Sequence, residues 1–215
     1  PIVQPGVREY ILATGLRESP NARALREHTM ANVDQPQMLS TPEQMQFVAF
    51  MIRLLGARRV VEVGVYTGYG TLVIAEALAD DGVVVACDKS DRWPSEGRRY
   101  WREAGCMDKI SLQIAPAQAT LQLLLDEGGA DSIDLIVVDA DKLHYPEYYE
   151  LSMALVRPGG MILFDNALWM GEFVAACCNP ATRAVHKLNQ QVQADPRVDS
   201  SLVPIGSGIL LVRKH

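Results

Sequence analysis

From position 59 onward, short continuous apolar runs alternate with longer stretches whose apolar residues recur every three or four positions. The runs 59–64, 83–88, 110–115, 133–139 and 161–165 read as strands. The intervening stretches 71–79, 95–104, 118–127 and 145–156 read as helices, the second weakened by Gly97. Runs 133–139 and 161–165 have no polar alternation, as expected when both faces of a sheet are covered. Helix 145–156 stops at Arg157-Pro158-Gly159-Gly160, which reads as a turn. After a loop come a helix at 182–194 and two strands, 198–204 and 208–213. Only Ile205-Gly206-Ser207 separates these strands, so they pair as an antiparallel hairpin. Upstream, 6–16 and 21–30 read as helices. A third helix opens at Ser40-Thr41-Pro42-Glu43, with Ser or Thr as cap, and stops at Gly56. The pattern predicts an α/β fold: a doubly wound, mostly parallel sheet with one reversed strand and helices on both faces.

At 215 residues the chain is expected to form one domain, 1–215, with a helical cap at 1–56 and an α/β core at 57–215. A hydrophobic fraction of 48% and a charged fraction of 21% are those of a soluble globular protein. The formal charge of −6 argues against a nucleic-acid surface and for a small-molecule substrate. No apolar stretch approaches the roughly 18 residues needed to span a bilayer, so no membrane partner is expected. The first six residues lack the basic and apolar regions of a signal peptide. Cys87, Cys106, Cys177 and Cys178 have no metal-site or disulfide spacing, and are expected to be free thiols in a reducing cytoplasm.

Two candidate sites fall at strand ends, where open α/β sheets hold their ligands. The first is the turn Glu62-Val63-Gly64-Val65-Tyr66-Thr67-Gly68-Tyr69-Gly70, whose glycines allow a ligand to approach the main chain. Its spacing is GxxxGxG rather than the dinucleotide GxGxxG, and Glu62 would repel a pyrophosphate but welcome a cation. That combination favours a sulfonium cofactor, S-adenosylmethionine, over NAD. Asp88, ending the next strand, suits the two hydroxyls of a ribose. The competing view is a purely structural turn, which Asp88 at the right place weakens.

The second site gathers Asp139, Asp165 and Asn166 at two strand ends. Each alone could simply cap a turn. Together their oxygens suit a hard dication, Mg²⁺ with Mn²⁺ or Ca²⁺ as alternatives. Three protein oxygens and a water on an octahedral ion leave two positions, which fit the adjacent oxygens of an aromatic vicinal diol. Lys142, just past Asp139, is either a solvated surface lysine or a base whose proton affinity a neighbouring cation lowers. These residues then compose one reaction: the cation acidifies a hydroxyl, Lys142 takes its proton, and the oxygen attacks the sulfonium methyl. Trp169 reads as a flat wall of the acceptor pocket. Tyr145, Tyr148 and Tyr149 read as helix packing, and His144 and His186 as isolated structural or surface residues.

The chain resembles the caffeoyl-CoA O-methyltransferase family, cation-dependent small O-methyltransferases with bacterial members, on several motifs between Met38 and the C-terminus. These are Val61–Tyr69, Arg98-Arg99-Tyr100-Trp101, Val138-Asp139-Ala140-Asp141-Lys142, Tyr145-Pro146-Glu147-Tyr148-Tyr149, Arg157-Pro158-Gly159-Gly160 and Asp165-Asn166-Ala167-Leu168-Trp169. The resemblance implies the Rossmann-like class I methyltransferase fold. It implies metal ligation by Asp139, Asp165 and Asn166, with Lys142 as base beside Asp139. It also implies S-adenosylmethionine contacts at Ser40, Glu62, Gly64, Val65, Tyr66, Gly70, Asp88, Ala117 and Asp141. Acceptor contacts follow at Met38 and Trp169, and the assembly implied is a homodimer. Gly70 departs from a usual Ser, which would pass a cofactor bond to Thr71 or to backbone. Met45 replaces a common Gly, Met170 a Gly or Asn, and 93–97 forms a looser edge. The rivals are a nicotinamide-dependent oxidoreductase and a non-catalytic cofactor-binding protein.

Overall fold

A computed structural model describes residues 3–169 and 179–215. Three helices lead the chain: α1 (Pro5–Gly15), α2 (Pro20–Asn32) and α3 (Pro42–Leu55). The alternating part follows as β1 (Arg59–Val63), α4 (Tyr69–Ala77), β2 (Val83–Asp88), α5 (Pro94–Glu103), β3 (Ile110–Ile114), α6 (Ala117–Asp126), β4 (Ile133–Val138), α7 (Tyr145–Leu155) and β5 (Val156–Asp165). It closes with α8 (Pro180–Ala194), β6 (Val198–Val203) and β7 (Ile209–Lys214). One seven-stranded sheet results, in the order β3-β2-β1-β4-β5-β7-β6. Every pair from β3 to β5 is parallel, and β7 runs against both neighbours. The predicted α/β architecture, with its single reversed strand, is the observed one.

Strand order reverses at β1, because β2 lies on one side of it and β4 on the other. A crevice outside the carboxyl ends of β1 and β4 is where such sheets bind ligands. Side chains of successive strand residues point to opposite faces, so each strand divides between two cores. Val60, Leu135, Val137, Met161 and Leu163 pack with α2–α5. Val61, Ile136, Val138, Ile162 and Phe164 pack with α6–α8. Counting on by two puts Glu62, Asp139 and Asp165 on the α2–α5 side of the sheet.

The structure departs from the sequence reading at several element ends. β5 begins at Val156, not 161: Val156 pairs with Ile133, and the register shifts before Leu135. Arg157 Nε donates to Asp134 Oδ1 at 2.6 Å, while Asp134 Oδ2 accepts from the Arg58 and Arg59 amides at 2.8 and 2.9 Å. This charged knot anchors Arg157, and Gly159 at φ +77° makes the expected turn as a bulge inside β5, between the pairs Ile133–Val156 and Leu135–Met161. Helix α2 starts one residue earlier than predicted, with Ser19 Oγ accepting from the Ala22 amide at 3.1 Å and Pro20 in the first turn. At α3, Thr41 occupies the cap position but makes no capping bond, and its hydroxyl is buried without a partner. Gly56 ends that helix with φ +58°, as its sequence predicts.

Gly97 is in α5 because of packing, not despite it. A Cβ there would sit 2.4 Å from the Thr67 carbonyl and 3.0 Å from the Trp101 ring. Trp101 itself is buried and donates Nε1–H to the Gly68 carbonyl at 2.9 Å. The helix thus lies directly under the 64–70 turn and holds it. Nor is 93–97 a loose edge. Trp93 meets Tyr66 edge-on at 5.5 Å, and the Arg92 guanidinium lies 5.0 Å over the Trp93 ring.

Candidate active site

The turn after β1 continues the sheet ladder before it bends. Gly64 N–H donates to the Cys87 carbonyl at 2.9 Å, and Asp139 N–H to the Val63 carbonyl at 2.8 Å. At Gly64, φ is +98°, and a Cβ would strike the Asp139 carbonyl oxygen at 2.1 Å. Only glycine lets the two strand ends approach this closely. Asp88 Oδ2 accepts from the Val65 and Tyr66 amides, both at 3.1 Å, and Oδ1 accepts from Ser90 N–H at 3.1 Å. The carboxylate expected at a ribose therefore also fixes the turn. Tyr66 is held at φ +51°, and its hydroxyl donates to the Asp34 carbonyl at 2.7 Å. That bond brings the segment with Met38, exposed at the end of a short 3₁₀ turn, beside the glycine turn.

Glu62 is buried, and burial together with nearby Asp139 and Asp88 pushes its carboxyl up to about 8. Thr71 Oγ1 donates to Glu62 Oε2. Thr71 is therefore engaged with Glu62 rather than standing in for a serine at position 70. A Cβ on Gly70 would meet Glu62 Oε1 at 2.4 Å, so the glycine and this carboxyl position belong together.

The same face carries the second site. Asp165 is buried, and burial plus the neighbouring Asp139 carboxylate push it up to about 8. The Gln44 side-chain amide donates to it from α3, and Asn166 N–H donates to Oδ1 at 2.5 Å. Asn166 holds a left-handed conformation, φ +57°, which asparagine tolerates better than most residues. Lys142 is not a solvated surface lysine. Its side chain is 10% exposed, and Nζ donates to Asp139 Oδ1 at 2.7 Å. Asp139 and Asp165 thus interact at the ends of β4 and β5. Among the described residues, no three His, Cys, Asp or Glu side chains group to hold a metal. The expected ligand set has two carboxylates and an amide, so it lies outside that count.

Comparison with known proteins decides the family. The model of a family described as O-methyltransferase matches residues 13–215, almost the whole chain. The chain belongs to the O-methyltransferase family. A probable caffeoyl-CoA O-methyltransferase 2 of Dictyostelium discoideum is 40% identical over 194 residues, 89% of this chain and 84% of that protein. A caffeoyl-CoA O-methyltransferase of Eucalyptus gunnii is 36% identical over 215 residues, covering 96% and 86%. An O-methyltransferase of Bacillus cereus, solved in complex with SAH, superposes with a TM-score of 0.87 at 26% identity over 97% of each chain.

Three residues near the site of this O-methyltransferase were read differently from sequence. Tyr148 hydroxyl donates to Asp141 Oδ1 at 2.8 Å, and His144 Nδ1 bonds Asp141 Oδ2, which raises the imidazole's proton affinity. His144 is therefore paired, not isolated. Tyr145 hydroxyl donates to the Asp165 carbonyl at 2.9 Å, with the Val138 carbonyl at 3.3 Å. Ser40 is half-buried just before α3, and Ala117 is half-buried as the first residue of α6. Trp169 is half-buried at φ +40° and packs on the α6–α8 core. The strand preceding it is pinned beyond its end: Ala167 N–H donates to the Gly208 carbonyl at 2.9 Å, and Asn189 Nδ2 to the Ala167 carbonyl at 2.8 Å. Met170, Cys177 and Cys178 lie outside the described residues. Gln44 was missed as a site residue, because it acts from α3 through a contact with Asp165 that no local motif announces.

Replacing Glu62 by Gln tests this electrostatic picture. A carboxyl whose folded-state pKa is near 8 and whose ordinary value is 4.5 makes the folded protein bind more protons between those limits. Its stabilising contribution is complete below about pH 4.5 and is lost as pH rises through 8. The wild type is expected to lose on the order of 5 kcal/mol across this window through Glu62. Glu62→Gln removes that contribution to the slope, so its melting temperature gains on the wild type between pH 5 and 8.5. Parallel curves would show that Glu62 is not the neutral, buried carboxyl described.

Proposed function

We propose that this chain transfers the methyl of S-adenosylmethionine to one hydroxyl of a small aromatic vicinal diol, of catechol, caffeoyl or flavonoid type, with a divalent cation. The observation that carries this reading is the convergence of Glu62, Asp139 and Asp165 on one face at the sheet's switch point, with the Lys142 ammonium bonded to Asp139. The names of the relatives and the SAH of the Bacillus cereus enzyme support it.

The residues fit both groups. Asp139 and Asp165 are mutually repelling carboxylates, one fully buried, and a dication would relieve that repulsion. With the Asn166 amide they make an all-oxygen set suited to Mg²⁺, Mn²⁺ or Ca²⁺. The acidic pocket around Glu62 and Asp88, beside the half-buried Gly64, suits a cationic sulfonium amino acid and its ribose. We assign cofactor contacts to Ser40, Glu62, Gly64, Val65, Tyr66, Gly70, Asp88, Ala117 and Asp141, and acceptor contacts to Met38 and Trp169.

A divalent cation held by Asp139, Asp165 and Asn166 would supply Lewis-acid polarisation that makes the acceptor hydroxyl more acidic. Lys142 would act from its neutral amine form, its own proton having passed to solvent, and would take the hydroxyl proton on Nζ. The phenolic oxygen forms the new bond to the methyl carbon as the carbon–sulfur bond breaks, and the donor leaves as a neutral thioether. The protein's main contribution is holding the two substrates in line. Exposed Val7, Tyr10 and Ile11 on α1, and Phe50 and Leu54 on α3, support a homodimer. The buried free thiols Cys87 and Cys106 support a cytoplasmic setting. Among the described residues no helix is long and apolar enough to cross a membrane.

The test is a panel of catechols, flavonoids and caffeoyl esters with a labelled methyl donor. Methyl transfer should disappear with EDTA and return with excess Mg²⁺. Turnover indifferent to EDTA would end the cation part of the reading. SAH stabilisation without turnover of any acceptor would favour the binding-protein alternative, and stabilisation by NAD would favour the oxidoreductase.

A further inference from the structure

We propose that Tyr145 is a positioning residue that fixes the two strand ends bearing Asp139 and Asp165 and supports Lys142 from below. This rests on the cation-dependent reading above. The β4–β5 ladder has its last register pair at Val138 and Phe164. Beyond it Asp139 N–H turns away to the Val63 carbonyl. Tyr145 takes over where the ladder stops, since its hydroxyl sits 2.9 Å from the Asp165 carbonyl and 3.3 Å from that of Val138. The single O–H proton serves the Asp165 carbonyl chiefly, with the Val138 carbonyl as a second, longer acceptor of the same proton. The same ring lies 4.9 Å beneath Lys142 Nζ and packs 5.4 Å from Phe164. One fully buried side chain therefore touches the main chain of one expected ligand, the residue before the other, and the expected base.

Packing alone does not require the oxygen. A phenylalanine would fill the volume, and a buried hydroxyl is tolerated only when it is hydrogen-bonded. Tyr149, on the same helix, provides the comparison. It is also fully buried and hydrogen-bonded, but to Asp195 at 2.8 Å, far along the chain from the site residues.

Tyr145→Phe and Tyr149→Phe each delete one buried hydroxyl from α7. Mn²⁺ is titrated calorimetrically into each full-length protein in the presence of SAH, and kcat and KM for the methyl donor are measured separately. Tyr145→Phe should weaken Mn²⁺ binding about tenfold, the range seen when groups behind metal ligands are removed, and lower kcat with KM for the donor unchanged. Tyr149→Phe should leave Mn²⁺ affinity within about twofold of the wild type, while lowering the melting temperature comparably. Wild-type Mn²⁺ affinity in Tyr145→Phe, or equal weakening in both variants, would overturn the proposal. Failure of the wild type itself to bind Mn²⁺ would instead overturn the cation reading beneath it.

Discussion

Asp165→Asn is expected to lose methyl transfer by a factor of about 10³ or more, while unfolding at a temperature no lower than the wild type. The two halves of that result come from one environment. Asp165 is buried beside Asp139, and both effects push its carboxyl up to about 8. In the protein without a cation, ionising it is therefore unfavourable, and a neutral amide of the same shape removes the conflict. Asparagine keeps an Oδ1 acceptor for Asn166 N–H. What is lost is one of two negative charges in the proposed cation set. Lewis-acid polarisation of an acceptor oxygen contributes several kcal/mol at the transition state, which corresponds to the rate factor given. Initial rates and thermal melts on the same preparation separate the outcomes. Wild-type activity would show that Asp165 has no part in the reaction, whereas joint loss of activity and folding would show a structural carboxylate.

Lys142→Met should lower kcat by about 10²- to 10⁴-fold, the span typical of a removed general base, with KM for the donor unchanged. Methionine approximates the length of the stem and leaves Asp139 without its 2.7 Å partner. Lys142→Arg is the deciding companion. A guanidinium preserves the ion pair but does not deprotonate at working pH, so it cannot take the hydroxyl proton. Arginine should be as inactive as methionine. Recovery of activity with arginine would make Lys142 a fixed positive charge rather than a base.

The parts of this molecule that were legible in the sequence are those set by local periodicity. Buried parallel strands announce themselves as unbroken apolar runs, and the acids ending them stand out, so Glu62, Asp88, Asp139 and Asp165 were found directly. Period-two geometry then explains why three of them share a face. Contacts across the fold were not legible. Gln44 sits in a capping segment and looks like a surface residue of α3, yet it is buried against Asp165. Gly97 looks like a helix defect until Thr67 and Trp101 are seen against it. The proline and two glycines after Arg157 do turn, at Gly159, but inside a strand that Asp134, more than twenty positions earlier, anchors through Arg157. His144 and the tyrosines of α7 carry the same helical spacing whether they pack or hold a site residue. The Tyr145 hydroxyl bond to the Asp165 carbonyl appears only once the strand ends are brought together.

Anomalous diffraction from crystals grown with SAH and Mn²⁺ tests the central claim most directly. One manganese peak is expected at the carboxyl ends of β4 and β5, bonded to side-chain oxygens of Asp139, Asp165 and Asn166 and lost in Asp165→Asn. SAH bound beside Glu62 with no manganese signal at those three residues would contradict it.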